Sequence, residues 1–359
     1  MIMKIAVLFD YIHGKAGGEK LMLYIAKCFK ADIYTGYIEY DKTYPEFKNM
    51  NVTDLGASKI PYLKQEDCVR KFRNLDLSDY DAAICVGFYC QYVARNKSTK
   101  VIWDPYGVSP MFYKRADYPK RNITSNPLLR IGEWFWGKKY EFYDQVTANQ
   151  YIDKVVLYSE FSRKAFREHY NMDAALIPPP VRLSDWRNNE SSGFYLTVSR
   201  LEPGKRVDLT INAFKTMPNE HLIIIGTGSL EKHYKEITKD NKNIQFVKNL
   251  SEKELAGFYA NCTAFIGTAF YDDWSMPLVE AMASGKPCIG VNQGAYPEII
   301  TGNTGILVND TPDDIKAAVK KLDCLTASGM SDDCKRNAKQ YSLPVFNKKW
   351  RRTVKEVIR

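Results

Sequence analysis

No C-x-x-C pair occurs among the eight cysteines of this 359-residue chain; the nearest two, Cys85 and Cys90, are five positions apart. That spacing argues against a zinc knuckle and against the disulfide framework of a small secreted domain. A chain of this length buries a large core without such staples. Cys28, Cys85, Cys262 and Cys288 stand in apolar surroundings, so reduced core thiols in a cytoplasmic protein are expected. The four histidines, His13, His169, His221 and His233, show no metal-ligand spacing, and no metal site is expected. Long apolar runs are also missing. No segment approaches the ~20 apolar residues of a membrane span, and Met1 to Phe9 is too short for a signal peptide. The chain is not expected to cross a membrane, which leaves contact with a membrane surface open.

What is present is ordinary for a folded protein: 45% hydrophobic and 26% charged residues, with a net charge of +9. The charge permits an anionic partner, but no nucleic-acid motif accompanies it, and nucleic-acid binding is not expected. Residues 111–139 concentrate it. Lys114, Arg115, Lys120, Arg121, Arg130, Lys138 and Lys139 face only Asp117 and Glu133, and Phe112, Tyr113, Tyr118, Trp134, Phe135 and Trp136 are mixed among them. Such a segment suits an anionic membrane surface or the solvated edge of a packed insertion.

Short apolar runs alternate with amphipathic ones. Strands are predicted at 4–10, 31–38, 80–87, 100–106, 154–159 and 174–178, then at 194–200, 221–228, 244–250, 262–269, 287–292 and 304–309. Helical patterns such as GEKLMLYIAKCF and VDLTINAFKTM lie between them. This alternation predicts an α/β fold of parallel sheets covered by helices on both faces. The stretch IPPPVRLSDWRNNESSG, residues 177–193, separates the two series, because three consecutive prolines fit neither a helix nor a central strand. Two doubly wound domains facing a central cleft are therefore expected, over 1–183 and 184–341. A C-terminal helix, 342–359, closes the second domain or crosses back to the first; its Phe346, Trp350, Val354 and Val357 recur at helical steps.

Four stretches carry candidate chemistry. In DYIHGKAGGEKL, Gly17 and Gly18 open a helix after a strand, as a plain tight turn or as a place where backbone approaches an anion. In VSRLEPGKRVDL, Arg200 and Lys205 stand on a short turn past a strand, solvated or holding a diphosphate. In IIIGTGSLE, Gly226 and Gly228 break a strand where ligands often meet backbone, or simply make the turn. In YDDWSMPLVEAMASGKP, Ser275 and Pro277 are helix-start signals. With Ser275 as the cap, the amides of Met276, Leu278 and Val279 are expected to point outward and meet an anion. Glu280 either complements the helix dipole or accepts two sugar hydroxyls.

That last stretch resembles the E-x7-E motif of the family 4 retaining glycosyltransferases, whose pattern reads approximately E-G-F-G-L-P-x-x-E-A-M-A-x-G-x-P. Here it runs Asp272, Asp273, Trp274, Ser275, Met276, Pro277, then Glu280-Ala281-Met282-Ala283, Gly285 and Pro287. GGEK at 17–20, YSEFSRKAFREHY before IPPPV, Arg200-x4-Lys205 and GAYPEII at 294–300 follow in the family's order. The resemblance implies a GT-B fold and a retaining hexosyltransferase, free of metal and cofactor, with a nucleotide-sugar donor carrying UDP or GDP. It implies Arg200 and Lys205 on the diphosphate, Glu280 on the ribose and the 275–279 amides on sugar and phosphates. Gly226 would line the donor site, and Gly17 and Gly18 would cover the diphosphate from the other domain. The acceptor implied is a saccharide or a lipid-linked saccharide, reached through 111–139 at an anionic membrane. Two positions depart from the pattern. Asp272 replaces the first Glu. VIWDPYGVSP lacks the family's histidine, and Asp104 stands where that group is sought, so Asp104 and Asp272 are the catalytic candidates. The competing reading is a non-catalytic nucleotide-sugar or glycan-binding protein of the same fold.

Overall fold

The structure, a computed structural model, describes residues 3–60, 63–108, 127–324 and 328–359, with side-chain detail throughout these spans except at 127–136, 323, 324 and 328. The chain divides into two compact units: Met1–Pro178 with Phe346–Arg359, and Pro179–Val345.

Unit 1 runs β1 (Ile5–Phe9), α1 (Gly17–Phe29), β2 (Asp32–Thr35), β3 (Val52–Asp54), α2 (Leu63–Arg73), β4 (Ala82–Val86), β5 (Lys100–Asp104), α3 (Pro127–Tyr151), β6 (Lys154–Leu157), α4 (Glu160–Tyr170) and β7 (Ala174–Leu176). Its seven strands are parallel in the order β3-β2-β1-β4-β5-β6-β7. Val7 of β1 lies opposite Ile33 on one side and Ile84 on the other. Every residue of β1 and β4 is buried, which is why both read as unbroken apolar runs. β3 has no counterpart among the predicted strands: it is a three-residue edge strand that buries no residue fully and leaves no apolar run to read. Of the basic aromatic segment 111–139, residues 111–126 lie outside the described residues. Lys138 and Lys139, on α3, pair with Glu141 and Glu66.

Unit 2 runs β8 (Phe194–Val198), α5 (Val207–Lys215), β9 (His221–Ile225), α6 (Glu231–Ile237), β10 (Ile244–Val247), α7 (Glu252–Asn261), β11 (Ala264–Gly267), α8 (Met276–Ala283), β12 (Cys288–Val291), α9 (Tyr296–Ile299), β13 (Gly305–Val308), α10 (Pro312–Cys324) and α11 (Ser328–Lys339). Its six strands are parallel in the order β10-β9-β8-β11-β12-β13. The final helix, α12 (Leu343–Ile358), packs within unit 1 from Phe346 onward. It buries Phe346, Trp350 and Val354 at four-residue steps, each contributing roughly 1.5–3 kcal/mol. Arg351 donates to the Cys28 carbonyl at the end of α1 (2.7 Å) and so ties chain end to chain beginning.

In both sheets the chain winds outward from a central strand, returns, and winds the other way. The reversal falls between β1 and β4 in unit 1 and between β8 and β11 in unit 2. Loops leaving the C-terminal ends of those strands splay apart, and such switch points are where ligands collect in open α/β sheets.

Candidate functional site

Unit 2 places most of the predicted residues at its switch point. Lys205 follows β8, and its ammonium lies 3.1 Å from both carboxylate oxygens of Asp272, which follows β11. The pair is half-buried, with side chains 25% and 19% exposed. Asp272 is braced from a third loop, since its carbonyl accepts the Ala295 amide (2.9 Å). Arg200 is exposed, and no carboxylate among the described residues pairs with its guanidinium. Gly226 has φ +146, and a Cβ there would meet the Ser199 carbonyl oxygen at 1.9 Å. Close approach of the β9 loop to the Arg200 loop is thus a sufficient reason for glycine at 226. Glu202 stitches the same two loops through the Ser229 amide and hydroxyl.

Ser275 occupies the N-cap of α8, but its hydroxyl makes no capping bond. The expectation of an outward Val279 amide is corrected here. Val279 donates to the Ser275 carbonyl (3.3 Å), because it is the first residue of the helix with an acceptor four positions back. Pro277 has no N–H, so Met276 and Leu278 carry the remaining amides of the first turn. Glu280 lies just beyond them, half-buried, with Oε2 accepting the Tyr259 hydroxyl from α7 at 3.1 Å.

Two site residues escaped the sequence reading. Arg206 adopts a left-handed backbone (φ +45) that turns its guanidinium inward under the ring of Phe270. It donates to Asp310 (2.8 Å), Gln293 (3.2 Å) and the Thr268 carbonyl (3.3 Å). One side chain thereby joins the ends of β8, β11, β12 and β13, and its hydrogen bond holds Asp310 below the usual carboxylate range. Arg206 follows Lys205 directly, so charge was legible, but nothing local announced its direction. Tyr259 carried no signal at all.

The switch point of unit 1 is built from carboxylates. Asp10, just past β1, is partly buried and accepts the amides of Phe88, Tyr89 and Cys90 beyond β4 (2.8, 2.9 and 2.8 Å). Burial still outweighs those bonds and raises its pKa. Glu19, six per cent exposed, also has a raised pKa from burial, opposed by backbone hydrogen bonds from His13 and Ala16. Ala16 is the N-cap of α1 and Glu19 its third residue, so the side chain folds back as one half of a capping box. The negative group complementing this helix end is therefore internal. Gly18 has its own reason: a Cβ there would come within 2.8 Å of the Tyr106 hydroxyl. Gly17 is exposed.

Asp104, at the end of β5, is fully buried. Its Oδ1 accepts the Tyr158 hydroxyl (2.7 Å) and the Tyr106 amide (3.2 Å), while Oδ2 is buried without a partner. Burial pushes its pKa up to about 7, against the pull of those two bonds. The Tyr106 hydroxyl is likewise buried and unpartnered. Among the described residues no cluster of three or more His, Cys, Asp or Glu side chains could hold a metal ion, and no helix is long and apolar enough to cross a membrane.

Two Rossmann-like parallel α/β units define the GT-B fold. The crystal structure of HepE from Anabaena in complex with UDP matches 99% of the chain and 100% of its own length, with a TM-score of 0.78 at 17% identity. Sucrose-phosphate synthase from Thermosynechococcus elongatus matches 98% of both chains, again with a TM-score of 0.78, at 13% identity. Residues 183–341, which contain the whole unit 2 site, match the family model described as Glycosyl transferases group 1. Among curated proteins the chain is similar to the GtfA subunit of the UDP-N-acetylglucosamine--peptide N-acetylglucosaminyltransferase of Streptococcus pneumoniae serotype 4. The two are 21% identical over 262 residues, 68% of this chain and 52% of that subunit. The chain spans about half the length of that relative, or less than half in the case of the Streptococcus agalactiae GtfA subunit.

Proposed function

We propose that the protein is a retaining glycosyltransferase that moves a hexose from a nucleotide-sugar to a saccharide or lipid-linked saccharide. The observation that carries this is the half-buried Lys205–Asp272 pair beside Arg200 and the first turn of α8. A cation paired with one carboxylate at partial exposure can be re-paired with a diphosphate, and charge-assisted hydrogen bonds favour the exchange. Arg200 adds a forked donor, Met276 and Leu278 add helix N-terminal amides, and Glu280 takes the ribose hydroxyls. These fixed positive groups stabilise the leaving diphosphate, so the chemistry needs no metal.

In the step proposed, the bond from the anomeric carbon to the diphosphate oxygen breaks as the acceptor hydroxyl bonds to that carbon on the same face. The acceptor proton passes to the departing phosphate oxygen. Asp272 orients the sugar once Lys205 turns to the diphosphate. Asp104 orients an acceptor hydroxyl. UDP in the HepE structure and UDP-N-acetylglucosamine in the name of the streptococcal relative support uridine diphosphate sugars as the first donors to try, with GDP-sugars next. Membrane contact through 111–139 would bring a lipid-linked acceptor within reach; co-sedimentation with anionic liposomes at low salt tests it, and no binding would remove it.

The test is to incubate the full chain with UDP- and GDP-sugars and saccharide or lipid-linked acceptors in the presence of a chelator, and to determine the anomer formed. Transfer with the donor's configuration kept is expected. Inversion would remove the retaining assignment, and loss of transfer in chelator would remove metal independence. The second reading, a binding protein without turnover, is favoured by one observation: Asp104 is fully buried, with Oδ1 already taken by Tyr158 and Tyr106. Donor binding without transfer or hydrolysis, unaltered by changing Asp104, would establish it.

A further inference from the structure

We propose that Tyr259 is a positioning residue that fixes the Glu280 carboxylate for the two ribose hydroxyls, so that preference for a ribonucleotide is set by a residue of α7 that never meets the ligand. The inference rests on the donor reading above and deepens it. Tyr259 is fully buried. Its ring packs on Phe265 of β11 in a stacked contact (6.1 Å, 27°) and edge-on to Trp186 (5.1 Å, 88°). With the ring held on two sides, the hydroxyl has one defined direction, and it meets Glu280 Oε2 at 3.1 Å.

Phenylalanine would fill the same space. A buried hydroxyl is unfavourable unless it is bonded, so the phenol's function lies in its bond to Glu280. A glutamate on a helix has three side-chain torsions and would otherwise sample several rotamers. An ionised carboxylate offers about four lone-pair sites, so one can take the phenol while two others face a cis-diol. Without the phenol the carboxylate loses one of the bonds that fix it, and the loss falls on the ligand with both hydroxyls.

The experiment compares calorimetric binding of UDP and 2′-deoxy-UDP (or the guanosine pair, where that is the pair bound) to wild type and Tyr259→Phe, with pyrophosphate as a control. In wild type the ribonucleotide should bind more tightly. In Tyr259→Phe the ratio of the two dissociation constants should fall about 3- to 10-fold, the size of one hydrogen bond, with pyrophosphate affinity unchanged. In a Glu280→Ala background, adding Tyr259→Phe should change the ratio no further. An unchanged ratio, an equal weakening of both nucleotides, or an additive effect in the Glu280→Ala background would each overturn the positioning role. Wild type binding neither nucleotide would overturn the donor reading and this inference with it. Wild type binding both alike would overturn the ribose assignment of Glu280, leaving the diphosphate contacts intact.

Discussion

In unit 1 the carboxylates at the strand ends accept backbone amides and a tyrosine hydroxyl; in unit 2 they are half-buried and bonded to side-chain cations. Asp10 accepts three amides and Asp104 is closed off from solvent, whereas Asp272 and Asp310 face Lys205 and Arg206. The sheets are both parallel and both reverse direction at a central pair of strands. The same plan thus yields one edge whose charges are fixed by the fold and one whose charges can exchange partners. Fixed carboxylates suit orientation of hydroxyl groups. Exchangeable cations suit a diphosphate that arrives and leaves.

The comparison breaks first at Asp10. Asp10→Ala should leave three partly buried amides without an acceptor and lower stability by about 3–5 kcal/mol, measured by urea unfolding. A wild-type midpoint would mean that the unit 1 carboxylates are not structural. Asp104 gives the next effect. The folded protein keeps its proton up to about pH 7, while the unfolded chain releases it near the ordinary 3.8. Between those values the folded state binds more protons, so stability falls as pH rises from about 4 to 7 and is level above. Asp104→Asn should lack that slope and gain on wild type between pH 5 and pH 8, on the order of 2–4 kcal/mol. Parallel melting temperatures at the two pH values would deny the carboxyl its raised pKa.

Lys205→Ala tests the other edge. Nucleoside diphosphate affinity should drop about 10- to 100-fold, with little change in melting temperature, because a partly exposed ion pair contributes ~0–1 kcal/mol to folding. A large loss of stability with affinity retained would make the pair structural, like its counterparts in unit 1. Glu280→Ala should have an effect of similar size, weakening donor binding by about 1–3 kcal/mol; unchanged affinity in the folded variant would remove the ribose assignment.

Much of the fold was legible because parallel strands buried on both faces leave apolar runs, as IAVLF and HLIII do. β3 was not, since Val52–Asp54 sits at an edge and carries no such run. The site was legible residue by residue but not as contacts. Lys205 and Asp272 are 67 positions apart, and their pairing depends on β8 lying beside β11. Val279 misled because a cap signal tells where a helix starts, while the acceptor for each amide follows only from the exact first turn. Arg206 and Tyr259 were out of reach for the same reason: a left-handed backbone aims one, and helix packing aims the other.

The central claim is that the exchangeable edge of unit 2 holds a diphosphate. Its most direct test is calorimetric titration of the full chain, in chelator, with UDP against UMP and with GDP against GMP. One diphosphate should bind, and its monophosphate should bind about tenfold more weakly or worse. Equal affinity for mono- and diphosphate, or no binding of any of the four, would contradict it.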